Sequence, residues 1–230
     1  MKILGIIPAR GGSKGVHKKN IRIVDGHPLI YYSIQSGKES KLITDLIVTS
    51  DSDEILDVVK KYKCNYFKRC DENAQDNSPI EPVIFEILDS LKSTYDFIVL
   101  LQPTAPIREG VDIDNALEML INDKDLDTVV SVVELEDIHP ARMYSINGNM
   151  EMKPLNPLLE RKRRQDLDPV YLRNGAIYAT RIDTFLKTKK LINDSKKAYI
   201  MPESKWANVD TERDLLIVEL LIKEWKLGKL

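Results

Sequence analysis

What most constrains this chain is a rhythm. From residue 1 to about 135, short apolar runs alternate with helix-length amphipathic stretches, the pattern of crossover units laid on a mostly parallel sheet. Residues 2–8 (KILGIIP) read as a first buried strand, 45–50 (DLIVTS) as a second and 64–67 (CNYF) as a weaker third. The run 95–102 (YDFIVLLQ) is the most hydrophobic strand, and its unbroken apolar character puts it at the sheet centre. Helices are expected from 28 to about 38, over 53–62, over 79–93, where Val83, Ile84, Ile87, Leu88 and Leu91 recur at helical spacing, and around 110–121. A strand at 127–135 (DTVVSVVEL) ends the alternation.

From about 136 to 172 the periodicity lapses. Pro140, Pro154, Pro157 and Pro169 interrupt the segment, and Arg161, Lys162, Arg163 and Arg164 form a basic run. This reads as an excursion from the sheet, a small β arm whose Leu155, Leu158, Leu159 and Leu167 have no regular helix of their own to cover them; a homodimer is the expectation that follows. His139, before Pro140, is read as part of a chain reversal. Strands at 174–180 and 198–202, a short helix at 183–186 and a terminal helix at 211–226 complete a single domain over 1–230.

With 34 Lys+Arg against 36 Asp+Glu, the net charge of −2 excludes a globally basic nucleic-acid binder but leaves room for a local basic pocket. The longest apolar run, 97–101, is far below the roughly 20 residues that span a bilayer, and the short apolar start runs into Arg10, unlike a secretory leader. Cys64 and Cys70 are too few for a disulfide framework or a four-thiolate zinc site; two reduced thiols, as in a cytoplasmic protein, are expected.

Directly after the first strand, the loop 9–20 (ARGGSKGVHKKN) places Arg10, Lys14, Lys18 and Lys19 among Gly11, Gly12, Ser13 and Gly15. Such a loop can wrap phosphates with backbone N–H groups while cations neutralise their charge. It carries neither the Walker spacing nor the G-x-G-x-x-G of dinucleotide sites, which argues against a dehydrogenase. Ligands of open α/β sheets bind beyond the carboxyl ends of the strands. Arg10, Ser50 with Asp51, Gln102 with Thr104, and Asp210 fall at such ends, so one cleft is expected to gather them. For Ser50 and Asp51 the reading adopted is capping of the following helix. The loop after the third strand adds Arg69, Asp76 and Ser78.

Four strings, IPARGGSKG with KKN following, LLQPTAPIR, RQDLDPVYLRNGAIY and VDTERDL, occur in this order over almost the whole chain. Together they resemble the acylneuraminate cytidylyltransferase family, the CMP-sialic acid synthetases and their bacterial relatives for other nonulosonic acids. The resemblance implies a Rossmann-like nucleotidyltransferase fold with a protruding dimerisation element. It also implies transfer of CMP from CTP to the anomeric 2-hydroxyl of a sugar acid, with pyrophosphate released and a divalent cation, usually magnesium, as cofactor. Carried over residue by residue, Arg10, Lys19 and Asn20 hold the triphosphate, with Gly11, Gly12, Ser13 and Lys14 in the same loop, while Arg69 and Ser78 lie on the cytosine and ribose side. Gln102 and Thr104, with Arg142, Arg164, Asn174 and Tyr178, build the sugar-acid pocket, and Arg173 is a further candidate there. Asp210 is metal ligand and base.

One position departs from the resemblance: the family usually has two aspartates flanking one apolar residue, and this chain reads Asn208, Val209, Asp210. An amide oxygen compensates less charge than a carboxylate. The alternatives are a nucleotidyltransferase for another activated sugar and a non-catalytic nucleotide-binding relative. For Asp210 the alternative is a cap on the terminal helix.

Overall fold

Alternation along β1 (Ile3–Pro8) shows how the molecule is layered: Ile3 and Ile7 enter one core cluster, Leu4 and Ile6 another on the opposite face, because successive strand side chains point to opposite sides. A strand apolar on both faces must be covered on both. The computed structural model describes residues 1–74, 78–91 and 93–229, the side chains of Asp71 and Ala74 excepted, so Asp76 lies outside the described residues.

After β1 and the polar loop come the short strands β2 (Ile23–Val24) and β3 (His27–Pro28), then α1 (Leu29–Glu39), β4 (Asp45–Ser50), α2 (Asp53–Lys61), β5 (Asn65–Lys68), α3 (Glu81–Leu91), β6 (Phe97–Leu100), α4 (Gly110–Asn122) and β7 (Thr128–Leu135). A hairpin, β8 (Tyr144–Ile146) with β9 (Met152–Pro154), precedes β10 (Val170–Arg181), α5 (Ile182–Thr188), β11 (Lys196–Met201) and α6 (Glu212–Lys226). Seven strands form the main sheet in the order β11-β7-β10-β6-β1-β4-β5. The β1–β4, β1–β6, β4–β5 and β7–β11 pairs are parallel, and β10 runs antiparallel to both neighbours. The mostly parallel α/β expectation therefore holds, with β6 and β1 near the centre.

Ile30 and Ile34 of α1, Ile55 and Val59 of α2, and Ile113, Leu117 and Leu120 of α4 cover one face. Val83, Ile84 and Ile87 of α3, with Ile182 and Phe185 of α5, cover the other. A third cluster packs Leu215, Val218 and Ile222 of α6 on Val16, Val24, Leu29 and Tyr32. This packing brings the end of the chain back over the opening loop.

Three expectations change. The cap of α2 is Ser52, whose hydroxyl accepts the Ile55 N–H; Ser50 Oγ instead accepts the Ser52 N–H, and Asp51 is drawn across to the opening loop. α6 is capped by Thr211 in a reciprocal box with Asp214, leaving Asp210 outside the cap. β10 begins four residues before the expected 174, because the end of the excursion pairs with Val132, Val133, Glu134 and Leu135 of β7; its register shifts between Arg173 and Tyr178. The rest of the excursion leaves the sheet as the hairpin, with Met150, Met152, Leu155 and Leu158 exposed. His139 caps the turn Pro140–Arg142 through Nδ1, which accepts the Ala141 N–H. Cys64 and Cys70 are free thiols, and burial pushes the Cys64 thiol up to about 11. Among the described residues no helix is long and apolar enough to cross a membrane.

Candidate active site

The opening loop is tied down at three points. Gly11 N–H donates to Asp51 Oδ1 at 2.9 Å, Asn20 Nδ2 donates to the Arg10 carbonyl at 2.9 Å, and Lys18 pairs with Glu54 at 2.7 Å. Lys19 then reaches across to the far end of the chain: its ammonium donates to the Val209 carbonyl at 2.8 Å and to Asp210 Oδ1 at 3.2 Å. Gly15 makes this approach possible, for a Cβ there would stand 2.0 Å from the Asp210 carbonyl oxygen. From the other side, the Val209 N–H donates to the Thr104 carbonyl at 2.9 Å, and Asp214 accepts the N–H groups of Asp210 and Thr211.

Between these walls lies a polar cleft of about 500 Å³. Arg10, Ser13, Lys14, Lys19 and Asn20 line one part of it, Arg69 and Ser78 another, and Gln102, Thr104, Asn208 and Asp210 the remainder. Among the described residues, four cations, Arg10, Lys14, Lys19 and Arg69, share the cleft with one carboxylate, Asp210, a charge balance suited to holding a polyphosphate. The Asp210 side chain is 69% exposed and remains open to a ligand while bound to Lys19. Arg69 is almost fully buried; its Nη2 donates to the Thr49 carbonyl at 2.8 Å, and its Nε and the nearby Thr49 hydroxyl have no protein partner among the described residues. Burial lowers the Arg69 pKa, with Asp51 opposing and Arg10 reinforcing the shift.

The cleft does not gather every expected residue. Gly11 and Gly12 belong to the loop but do not line it: the Gly11 amide is spent on Asp51, and Gly12 is exposed. Asn174 is buried beneath the β10 register shift, its Oδ1 accepting from Ser131 Oγ at 2.6 Å and from the Ala176 N–H. It acts there as scaffolding for Gly175, whose φ of +77° and closeness to Gln102 Oε1 (2.8 Å from a Cβ) shape the cleft side. Tyr178 packs into the second core cluster, opposite Leu100, and burial raises its pKa. Conversely, Asn73 and Pro103 line the cleft without having been singled out from the sequence. Asn73 carried no signal, being an ordinary polar loop residue; Pro103 lay inside the QPTAP string.

These features have close parallels. The sequence model described as Cytidylyltransferase matches residues 4–205. The chain belongs to the cytidylyltransferase family. An N-acylneuraminate cytidylyltransferase of Streptococcus agalactiae is 31% identical over 95% of this chain and 52% of its own length, so the chain spans about half of that relative. A pseudaminic acid cytidylyltransferase of Campylobacter jejuni is 30% identical over 97% of each chain. Among solved structures, CMP:2-keto-3-deoxy-manno-octonic acid synthetase complexed with CTP shares the fold, with a TM-score of 0.76 and 17% identity over 98% of this chain and 100% of that one.

In this cytidylyltransferase a second cavity, about 570 Å³, opens at the base of the hairpin arm. Arg142 and Arg164 line it, away from the cleft. Arg142 is spent within the arm, donating to the Glu160 and Lys162 carbonyls. Arg164 pairs with Glu136 and Asp137, and all three side chains are well exposed. Among its described lining residues Glu134, Glu136, Asp137 and Asp168 outnumber Arg142 and Arg164, the reverse of the balance in the first cleft.

Proposed function

We propose that this cytidylyltransferase transfers CMP from CTP to the anomeric 2-hydroxyl of a nonulosonic acid. The observation that carries this reading is the single cleft in which Arg10 and Lys19 face Asp210, with Gln102 and Thr104 alongside. The sugar hydroxyl oxygen bonds to the α-phosphorus of CTP, the bond from that phosphorus to the β-bridging oxygen breaks, and pyrophosphate leaves. Asp210 is the carboxylate placed to take the hydroxyl proton. CTP brings about four negative charges, so Arg10, Lys14 and Lys19 neutralise the departing phosphates while Arg69 and Ser78 border the nucleoside.

Asp210 and Asn208 fit a divalent cation of the magnesium type. One carboxylate and one amide oxygen at a phosphate cleft suit an ion that completes its shell with phosphate oxygens and water. Among the described residues, moreover, no cluster of three or more His, Cys, Asp or Glu could hold a metal by itself. Such an ion supplies positive charge to the phosphates when bound.

For the sugar carboxylate Arg164 is the best placed arginine of the arm, since its ion pairs are exposed and weakly held. It lies outside its own cleft, so in this reading the arm, through Met152, Leu155 and Leu158, docks on a second copy and delivers Arg164 there. Relatives named for N-acylneuraminate and for pseudaminic acid support the substrate class.

The test is pyrophosphate release with each nucleoside triphosphate paired with sialic, legionaminic or pseudaminic acid, or with a sugar phosphate. CTP with one of the nonulosonic acids is the productive pair; release only with a sugar phosphate, or only with another nucleotide, refutes the reading.

A further inference from the structure

Arg108 closes the turn that follows β6, and at 1% exposure it is withdrawn from solvent entirely. Its Nη1 donates to the carbonyls of Gln102 at 3.0 Å and Ala105 at 2.7 Å. Its Nε and Nη2 are buried with no partner among the described residues. Asp112 supplies the opposing charge and is itself engaged elsewhere, accepting from the Glu109 N–H, the Tyr199 hydroxyl and the Lys205 ammonium. A half-satisfied buried guanidinium is a costly way to close a turn; an apolar side chain of similar size would cost the fold less. Its retention calls for a role beyond stability.

That role follows from what the turn carries. Gln102 and Thr104 line the cleft. The Thr104 carbonyl holds the Val209 N–H, placing Asn208 and Asp210 on the facing wall. Lys205, bound to Asp112 and Glu109 at 2.7 Å each, anchors the start of that same segment. The turn at 102–108 therefore carries Gln102 on one side of the cleft and, through the Thr104 carbonyl, holds the Asp210 side as well.

We propose that Arg108 is a positioning residue for cytidylyl transfer: by gripping the Gln102 and Ala105 carbonyls from within the core, it sets where Gln102 stands and, through Thr104, where Asn208 and Asp210 stand relative to the sugar acid. This rests on the function proposed above for the same cleft. The triphosphate loop has its own anchors in Asp51 and Asn20 and meets the positioned segment at Lys19 and Gly15.

The experiment compares the wild-type chain with Arg108→Lys and Arg108→Met in pyrophosphate release, in binding of CTP alone, in thermal midpoint, and in amide hydrogen exchange at Val209. Misplacing a reacting group by about 1 Å costs on the order of 10²-fold, so kcat/KM for the sugar acid is expected to fall about that far in Arg108→Met and less in Arg108→Lys. CTP binding should stay within about threefold, a factor too small to signal loss of a phosphate clamp. Val209 should exchange faster in both variants, a readout that does not depend on turnover. Variants with wild-type sugar kinetics and wild-type Val209 exchange overturn the proposal. So does an equal loss in CTP binding and sugar turnover, or an Arg108→Met that fails to fold beside a kinetically unaltered Arg108→Lys, since each assigns Arg108 to the fold alone. An inactive wild-type chain would instead refute the proposed function, leaving Val209 exchange to decide whether Arg108 positions the segment.

Discussion

A Cβ on Gly15 would collide with the main chain of Asp210, so the smallest residue of the loop governs how near the cations can come to the acidic wall. Gly15→Ala must push the two apart; we expect kcat/KM for CTP to drop by roughly 10²-fold with the circular dichroism unchanged, as for other misplaced reacting groups. If Lys19 clamps the triphosphate as proposed, Lys19→Ala should lose about 3 kcal/mol in the transition state, roughly 10²-fold in turnover, read by steady-state kinetics. Asn208→Asp restores a second carboxylate beside Asp210 and should lower the magnesium concentration for half-maximal activity; an unchanged magnesium dependence removes Asn208 from the metal site. Of these residues the loop cations were legible because a cluster of cations directly after an apolar strand has few structural uses, and Asp210 through its place in the VDTERDL string. Asp51 was misread: a carboxylate before a helix looks like a cap, and only the fold shows that Ser52 takes that place and Asp51 holds Gly11. Arg108 stood at the end of the LLQPTAPIR string, but a sequence does not say which cation is buried.

The start of α6 is the element that joins stability to the site. Asp214 accepts the Asp210 and Thr211 N–H groups, and the bond from Asp210 is the main cause of its lowered pKa. A depressed folded-state pKa contributes stability above the unfolded value of 3.8, lost as pH falls below it. Asp214→Asn should therefore unfold more easily at pH 7, with a disadvantage that shrinks as pH falls below 3.8 through the lowered folded-state value, measured by urea unfolding across that range; a difference that stays constant with pH would exclude the carboxylate as the cause. Among the strands, β6 is buried on both faces, and Ile98→Ala should cost about 3 kcal/mol by the same assay, within the usual range for truncating a buried Ile. The strands of the first half were legible because parallel strands covered on both faces need unbroken apolar runs. β10 was legible only in its second half: its opening residues Tyr171, Leu172 and Arg173 are exposed, and pairing with β7 alone makes them strand.

At the scale of the whole molecule, charge and apolar surface are both unevenly placed. The chain is nearly neutral, yet among the described residues one cleft holds four cations against a single carboxylate, while the arm exposes Met150, Met152, Leu155 and Leu158. Sedimentation velocity at micromolar concentration should show a dimer, and Leu158→Glu with Leu155→Glu should convert it to monomer, because a charge buried in an apolar contact is strongly disfavoured. A wild-type monomer would end the assignment of the arm. Alternating buried runs and helical periods determined the α/β class and the parallel half of the sheet, since these follow from how each segment alone hides its apolar face. Tertiary packing decided what depended on distant segments: α6 laid over the opening loop, Thr104 holding Val209, and Arg142 and Arg164 carried away from the cleft. Local pattern carries no record of which remote backbone a side chain will meet.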